Sequence, residues 1–199
     1  MTKDWTGNAK STFATLGASS HSAHERETHD YYATDPATVA PLVKLLDGDD
    51  VHTVWEPACG EGHLSKELTA HGLSVASTDL VDRGFGCAPL DFLGAPPLFM
   101  PDAVITNPPY KYAEEFAHKA LEVVRDNGFV CMFLKLTFLE GQKRRAFFEQ
   151  HPPKIVGVFS QRQKCAINGD FDRTGSSAAA YAWFVWEKGY QGQPTIRWV

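Results

Sequence analysis

The stretch Asp102-Ala103-Val104-Ile105-Thr106-Asn107-Pro108-Pro109-Tyr110 constrains this chain more than any other. Val104 and Ile105 read as a buried strand, and the two prolines must end it because neither has an N–H to donate to a sheet ladder. A strand stopped in this way leaves the Asn107 side chain at its carboxyl end, where open α/β sheets bind their ligands. Proline also fixes the backbone, so the Pro108 carbonyl is aimed, and Tyr110 adds a flat face. Two aimed acceptors beside a ring suit a planar group that carries an NH2. On this stretch alone, a plain proline turn after a strand is the competing reading.

A second stretch changes the balance. Val51-His52-Thr53-Val54-Trp55-Glu56-Pro57-Ala58-Cys59-Gly60-Glu61-Gly62-His63-Leu64 reads as a strand, a tight turn with two glycines, and a helix over about residues 64–70. The glycines let a ligand approach the backbone. A dinucleotide-binding turn asks for a third glycine, but Ser65 stands there. Glu56 would repel a pyrophosphate and accept from an ammonium, which favours a nucleoside bearing an amino acid over a dinucleotide. The next strand, residues 73–78, runs into Asp79, placed to accept from ribose hydroxyls. Asp91-Phe92 offers a carboxylate and a ring for a purine.

In that order and spacing, Glu56-Pro57-Ala58-Cys59-Gly60-Glu61-Gly62, Asp79, Asp91-Phe92 and Asn107-Pro108-Pro109-Tyr110 resemble the S-adenosylmethionine-dependent amino-methyltransferases, specifically the DNA adenine-N6 branch and its small phage and prophage members. The resemblance covers about residues 30–190. It implies a Rossmann-like class I methyltransferase, an α/β fold with a mainly parallel seven-stranded sheet, an antiparallel closing strand and helices on both faces. It implies S-adenosyl-L-methionine held by Tyr32, Thr34, Glu56, Pro57, Ala58, Cys59, Gly60, Gly62, Asp79, Asp91, Phe92 and Asn107, with Asn107, Pro108, Pro109 and Tyr110 as the catalytic set. No metal is implied. An RNA adenine enzyme, a protein-glutamine N-methyltransferase and a non-catalytic cofactor-binding protein remain alternatives. Cytosine C5 is excluded as a target, because no Pro-Cys dipeptide supplies the nucleophile.

The rest of the chain fits an α/β alternation. Residues 1–29 are rich in Ser, Thr, Ala and His and read as a flexible arm, with His21, His24 and His29 as solvated side chains. Asp35-Pro36 opens a helix carrying Val39, Leu42, Val43, Leu45 and Leu46, and Asp35 serves equally well as its cap. A helix is expected over 111–126, the most apolar strand over 129–137, a helix near 143–150, and strands over 155–159 and 179–186. A polar connection at 160–177 carries Arg162, Lys164, Asn168 and Arg173. At 199 residues and 43% hydrophobic content the chain can bury one core, so residues 30–199 are expected to form a single domain without a separate target-recognition domain. Short or lax sequence recognition follows from that expectation.

Charge bears on the partner. Residues 1–110 hold 6 Lys and Arg against 15 Asp and Glu, whereas residues 111–199 hold 13 against 9. A basic second half, with Lys135, Lys143, Arg144, Arg145, Lys154, Arg162, Lys164 and Arg173, suits DNA, and RNA equally; a Lys-Arg-Arg run by itself is more often a solvated face. No segment approaches the ~20 apolar residues of a membrane span and residues 1–10 lack an apolar signal core, so a cytoplasmic protein is expected. Cys59, Cys87, Cys131 and Cys165 show no metal spacing and read as reduced thiols.

Overall fold

The computed structural model describes residues 33–163, the backbone of 165–166, and residues 179–199. The expected arm at 1–29, Tyr32, Lys164, and residues 167–177 of the 160–177 connection, with Asn168 and Arg173, lie outside the described residues.

Nine strands are described: β1 (Ala33–Thr34), β2 (Thr53–Glu56), β3 (Ser74–Ser77), β4 (Ala103–Thr106), β5 (Phe129–Lys135), β6 (Ile155–Val158), β7 (Cys165–Ala166), β8 (Tyr181–Glu187) and β9 (Thr195–Trp198). Four α-helices accompany them: α1 (Val39–Leu45), α2 (His63–Ala70), α3 (Ala113–Val123) and α4 (Arg145–Gln150). Seven strands form one sheet in the order β3-β2-β4-β5-β8-β6-β9, and β1 pairs with β7 as a separate ribbon. Parallel pairing joins β3, β2, β4 and β5, while β8 runs antiparallel to both β5 and β6.

Both faces of the sheet are buried, which explains why its central strands read as continuous apolar runs. On β4 and β5, Val104, Val130, Met132 and Leu134 face one apolar cluster with Phe116, Ala117 and Ala120 of α3 and Phe147 of α4. Ala103, Ile105, Phe129, Cys131 and Phe133 face the other, with Val39 and Leu42 of α1 and Leu64 and Leu68 of α2. The alternation within each strand continues on β8, where Ala182, Phe184 and Trp186 join the first cluster and Tyr181, Trp183 and Val185 the second.

Several expected boundaries shift. The 111–126 helix opens as a 3-10 turn at Tyr110–Tyr112 and becomes α-helical only over Ala113–Val123. The 129–137 strand ends at Lys135 and passes into a 3-10 turn, Leu136–Leu139. The antiparallel strand lies between β5 and β6, and the edge beyond β6 belongs to β9, which sequence reading does not locate. Thr195-Ile196-Arg197-Trp198 does alternate polar and apolar residues, but over only four positions and with neither face buried, so too short a run announces the strand; backbone pairing with β6 recruits it. Asp35 does cap its helix, accepting from the Ala37 N–H at 3.0 Å.

Asp102 ties the amino ends of β2 and β4 together. Its Oδ2 accepts from the N–H groups of His52 and Thr53 at 3.0 and 2.7 Å and from the Thr53 hydroxyl at 2.8 Å, while Oδ1 meets Arg125 Nε at 2.6 Å. Desolvation alone would raise this carboxyl; the hydrogen bonds from the Thr53 backbone, Arg125, the Thr53 hydroxyl and the His52 backbone override it and hold the group well below the usual carboxylate range. Asp102→Asn is therefore expected to cost about 1.5–3 kcal/mol in chemical denaturation at neutral pH, the value of a charged hydrogen-bond set. Because the folded state depresses the acid, its contribution is present above about pH 4 and fades as the pH falls below that, so the two proteins should converge in acid.

Candidate functional site

The carboxyl ends of β3, β2, β4 and β5 open onto a cavity of about 970 Å³. Thr34, Glu56, Pro57, Ala58, Cys59, Asp79, Asp91, Phe92, Asn107, Pro109 and Tyr110 all line it. These residues come from segments up to about seventy positions apart, and parallel register is what brings them to one edge. Gly60, Gly62 and Pro108 are not among the lining residues.

Glu56 ends β2 and is 2% exposed. The Ser65 hydroxyl, on the first turn of α2, donates to Glu56 Oε2, and the Ser65 and Ser77 hydroxyls lie 2.6 Å apart. Ser65 therefore has a specific task at the position where a dinucleotide turn carries glycine; sequence reading noted the missing glycine and not its consequence. Burial pushes the Glu56 carboxyl up to about 8, the Ser65 hydrogen bond pulls against this, and the nearby Asp79 charge adds to the rise. Glu56 is thus a protonated acid at neutral pH unless a cation arrives beside it. Cys59 is raised to about 12 by burial, with Glu56 and Asp79 contributing, so its thiol is inert.

Asp79 does more than face a ligand. Its Oδ2 accepts from the Gly60 N–H at 2.8 Å and its Oδ1 from the Val81 N–H at 2.9 Å, stitching the glycine turn to the end of β3. Replacing it would disturb the turn as well as any ribose contact. Gly60, with φ of 55°, serves this stitch. Gly62, with φ of 80°, is glycine for a related reason: a Cβ there would collide with the Phe85 ring, so the space expected for a ligand is filled by the protein itself. Phe92 is 2% exposed, packed edge-on against Trp55 at 5.1 Å and against Phe116 at 5.1 Å. It forms cavity wall, with too little exposed face to stack on a purine. Leu80, 56% exposed and lining the same region, presents the available apolar surface.

At the other end of the cavity, Tyr110 donates through its hydroxyl to the Tyr181 hydroxyl at 3.3 Å. Lys135, the last residue of β5, places its ammonium 4.7 Å from the centre of the Tyr110 ring. Lys111 lies over Tyr112 at 5.0 Å, and four of these five residues, all but Tyr181, line the cavity. Lys135 appeared in the sequence only as one of several basic residues, since nothing local announces that a strand end will face Tyr110. Of the basic helix, Arg144 is turned inward, donating to the Phe138 carbonyl at 3.0 Å and covering its ring, and Arg145 pairs with Glu149 at 2.7 Å. The run expected as a nucleic-acid surface is therefore partly committed to the fold, leaving Lys143 and Arg162 exposed.

No family model and no curated protein sequence matches the chain. Similarity is found among solved structures. A class I S-adenosylmethionine-dependent methyltransferase assigned in Listeria monocytogenes superposes with a TM-score of 0.61 at 12% identity, over 96% of this chain and 70% of that one. An assigned RNA methyltransferase from Pyrococcus horikoshii gives 0.61 at 15% identity, over 90% and 98%. The modification subunit of an assigned type I restriction enzyme from Vibrio vulnificus gives 0.59 at 12% identity, over 96% of this chain and half of that subunit. The architecture is the Rossmann-like class I methyltransferase fold.

The buried acid has a measurable consequence. Its folded-state proton affinity is raised, so its contribution to stability is full below about pH 4.5 and is lost as the pH rises through about 8. Glu56→Gln, which keeps the shape and removes the ionisation, is expected to flatten the decline of melting temperature between pH 5 and 8.5; a decline identical in both proteins would assign it to other groups.

Proposed function

We propose that this chain transfers a methyl group from S-adenosyl-L-methionine to the exocyclic N6 amine of adenine in DNA. The observation that carries the reading is the single cavity in which Glu56, Asp79 and Asp91 stand beside Asn107 and Tyr110. The donor set suits the cofactor: Glu56 is a buried carboxyl awaiting a cation, matched to the amino-acid ammonium, and Asp79 and Asp91 lie along the same edge for hydroxyl and purine contacts. The cofactor supplies an electrophilic methyl group on a sulfonium.

The protein's own part is placement and polarity. Glu56 ionises as the ammonium arrives, exchanging its proton for a charge partner, which links cofactor affinity to pH. Asn107 at the cavity wall, together with the Pro108 carbonyl just behind the lining residues, would accept the two N–H groups of the adenine amine and so free the nitrogen lone pair from the ring system. Tyr110 stacks on the base once it has left the duplex, at an unstacking cost of about a few kcal/mol. Proximity accounts for most of the acceleration. The paired cations and rings at Lys135/Tyr110 and Lys111/Tyr112 support a nucleic-acid substrate over a protein amide. RNA adenine is the second reading, supported by the likeness to the Pyrococcus protein.

Incubation with tritiated methyl donor and DNA, RNA and protein in parallel decides among substrates; label in DNA at adenine N6 is expected, and label only in RNA or protein replaces the reading. Asn107→Ala is expected to reduce transfer by at least about a thousandfold with a much smaller loss of cofactor affinity, because its contacts to the amine matter only in transfer whereas the cofactor keeps its other partners. By calorimetry, cofactor affinity is expected to rise by up to about tenfold per pH unit from about pH 6 toward pH 8, above which the cofactor's own amine loses its proton, and Glu56→Gln is expected to remove the rise below about pH 7.

A further inference from the structure

The order β3-β2-β4-β5 places Asp79, Glu56, Asn107 and Lys135 in sequence along one edge of the sheet, so the cavity runs from acidic to basic. Three strand spacings of about 4.8 Å separate its two ends. The acidic end is accounted for by the cofactor; the basic end has been tied to a nucleic-acid substrate in general, with no task given to its individual residues.

Lys135 is half-buried and aligned with Tyr181 on β8, and its ammonium sits against the Tyr110 ring. Tyr181 in turn stacks on Phe133 at 4.9 Å with an interplanar angle of 1°, which fixes the platform from behind. Among the described residues the Lys135 ammonium pairs with no carboxylate. A positive charge kept unneutralised inside a cavity rim is costly without a role, and a cation–ring contact recovers only part of its hydration. The group best suited to complete it is an anion that arrives with the substrate. A base extruded onto Tyr110 brings its own phosphate within reach of the same ring's edge.

We propose that Lys135 is a positioning residue for the nucleic-acid substrate: its ammonium, held beside the Tyr110 ring on which the base lies, binds the phosphate of the target nucleotide. The assignment rests on the methyltransferase reading above and adds to it the group that holds the extruded nucleotide. Lys111, exposed over Tyr112, is the adjacent cation at the same mouth.

Lys135→Met keeps the stem and removes the charge, which limits damage to the fold. In steady-state transfer to a DNA duplex, this variant is expected to raise the KM for DNA about tenfold, with kcat within about twofold and cofactor affinity unchanged. The slope of log KM against log salt should become shallower by about one, the signature of one lost phosphate contact, and Lys135→Arg should restore it. Lys66→Ala, which removes a comparable cation over the Phe85 ring, should leave the slope alone. A Lys135→Met enzyme with lowered kcat but wild-type KM and salt slope overturns the phosphate role, since the lysine then acts through Tyr110 only. Failure of the parent reading looks different: a wild-type protein that methylates no nucleic acid removes both.

Discussion

The parallel pairing of β4 with β2 on one side and β5 on the other is the constraint on which the rest depends. Val54 and Trp55 of β2 sit opposite Ala103 and Val104 of β4, and Thr106 of β4 sits opposite Met132 of β5. With these registers fixed, Glu56, Asn107 and Lys135 emerge along one edge. A slip of one residue would reverse every side chain between the two faces of the sheet. Both faces are buried, so such a slip would send each side chain into the wrong apolar cluster, parting Phe133 from the Tyr181 ring it stacks on and carrying Val104 and Met132 away from the face packed by α3. The core therefore enforces the geometry of the cavity.

Polar groups near the cavity divide into those that hold the scaffold and those held ready. Asp79 spends both carboxylate oxygens on backbone N–H groups of the turn and the strand end. Asp102, at the opposite end of β4, is similarly saturated and stays charged because its donors outweigh its desolvation. Glu56 has the contrasting environment: deep burial and a neighbouring negative charge favour the neutral acid, and the Ser65 hydroxyl offsets only part of this. These two carboxylates, at opposite ends of adjacent parallel strands, thus differ in charge state because Asp102 meets several N–H donors and a guanidinium, whereas Glu56 is buried with Ser65 as too small an offset.

The apolar interior and the cavity share side chains. Phe92 and Phe116 line the cavity and also pack with Trp55 in the core, so the wall of the site is the surface of the first apolar cluster. Rigidity at the site is a product of core packing, and substitutions at these rings would affect stability and ligand fit together.

The sequence by itself determined the strand that stops at Asn107-Pro108, the glycine turn after Glu56 and the alternation of strands and helices. Each is local: proline removes a donor, glycine permits a positive φ, and continuous apolar runs have no other place than a doubly covered sheet. It also named most of the cavity lining, because residues at the ends of consecutive parallel strands share an edge in any right-handed α/β fold. Tertiary structure alone decided the rest. It gave Gly62 to Phe85, turned Phe92 from a stacking ring into wall, turned Arg144 inward, recruited the exposed β9 by backbone pairing, and set Lys135 against Tyr110. The physical reason is common to all five: each depends on which distant side chain or backbone occupies the adjoining space, and no periodicity, turn chemistry or charge count within a short window carries that information.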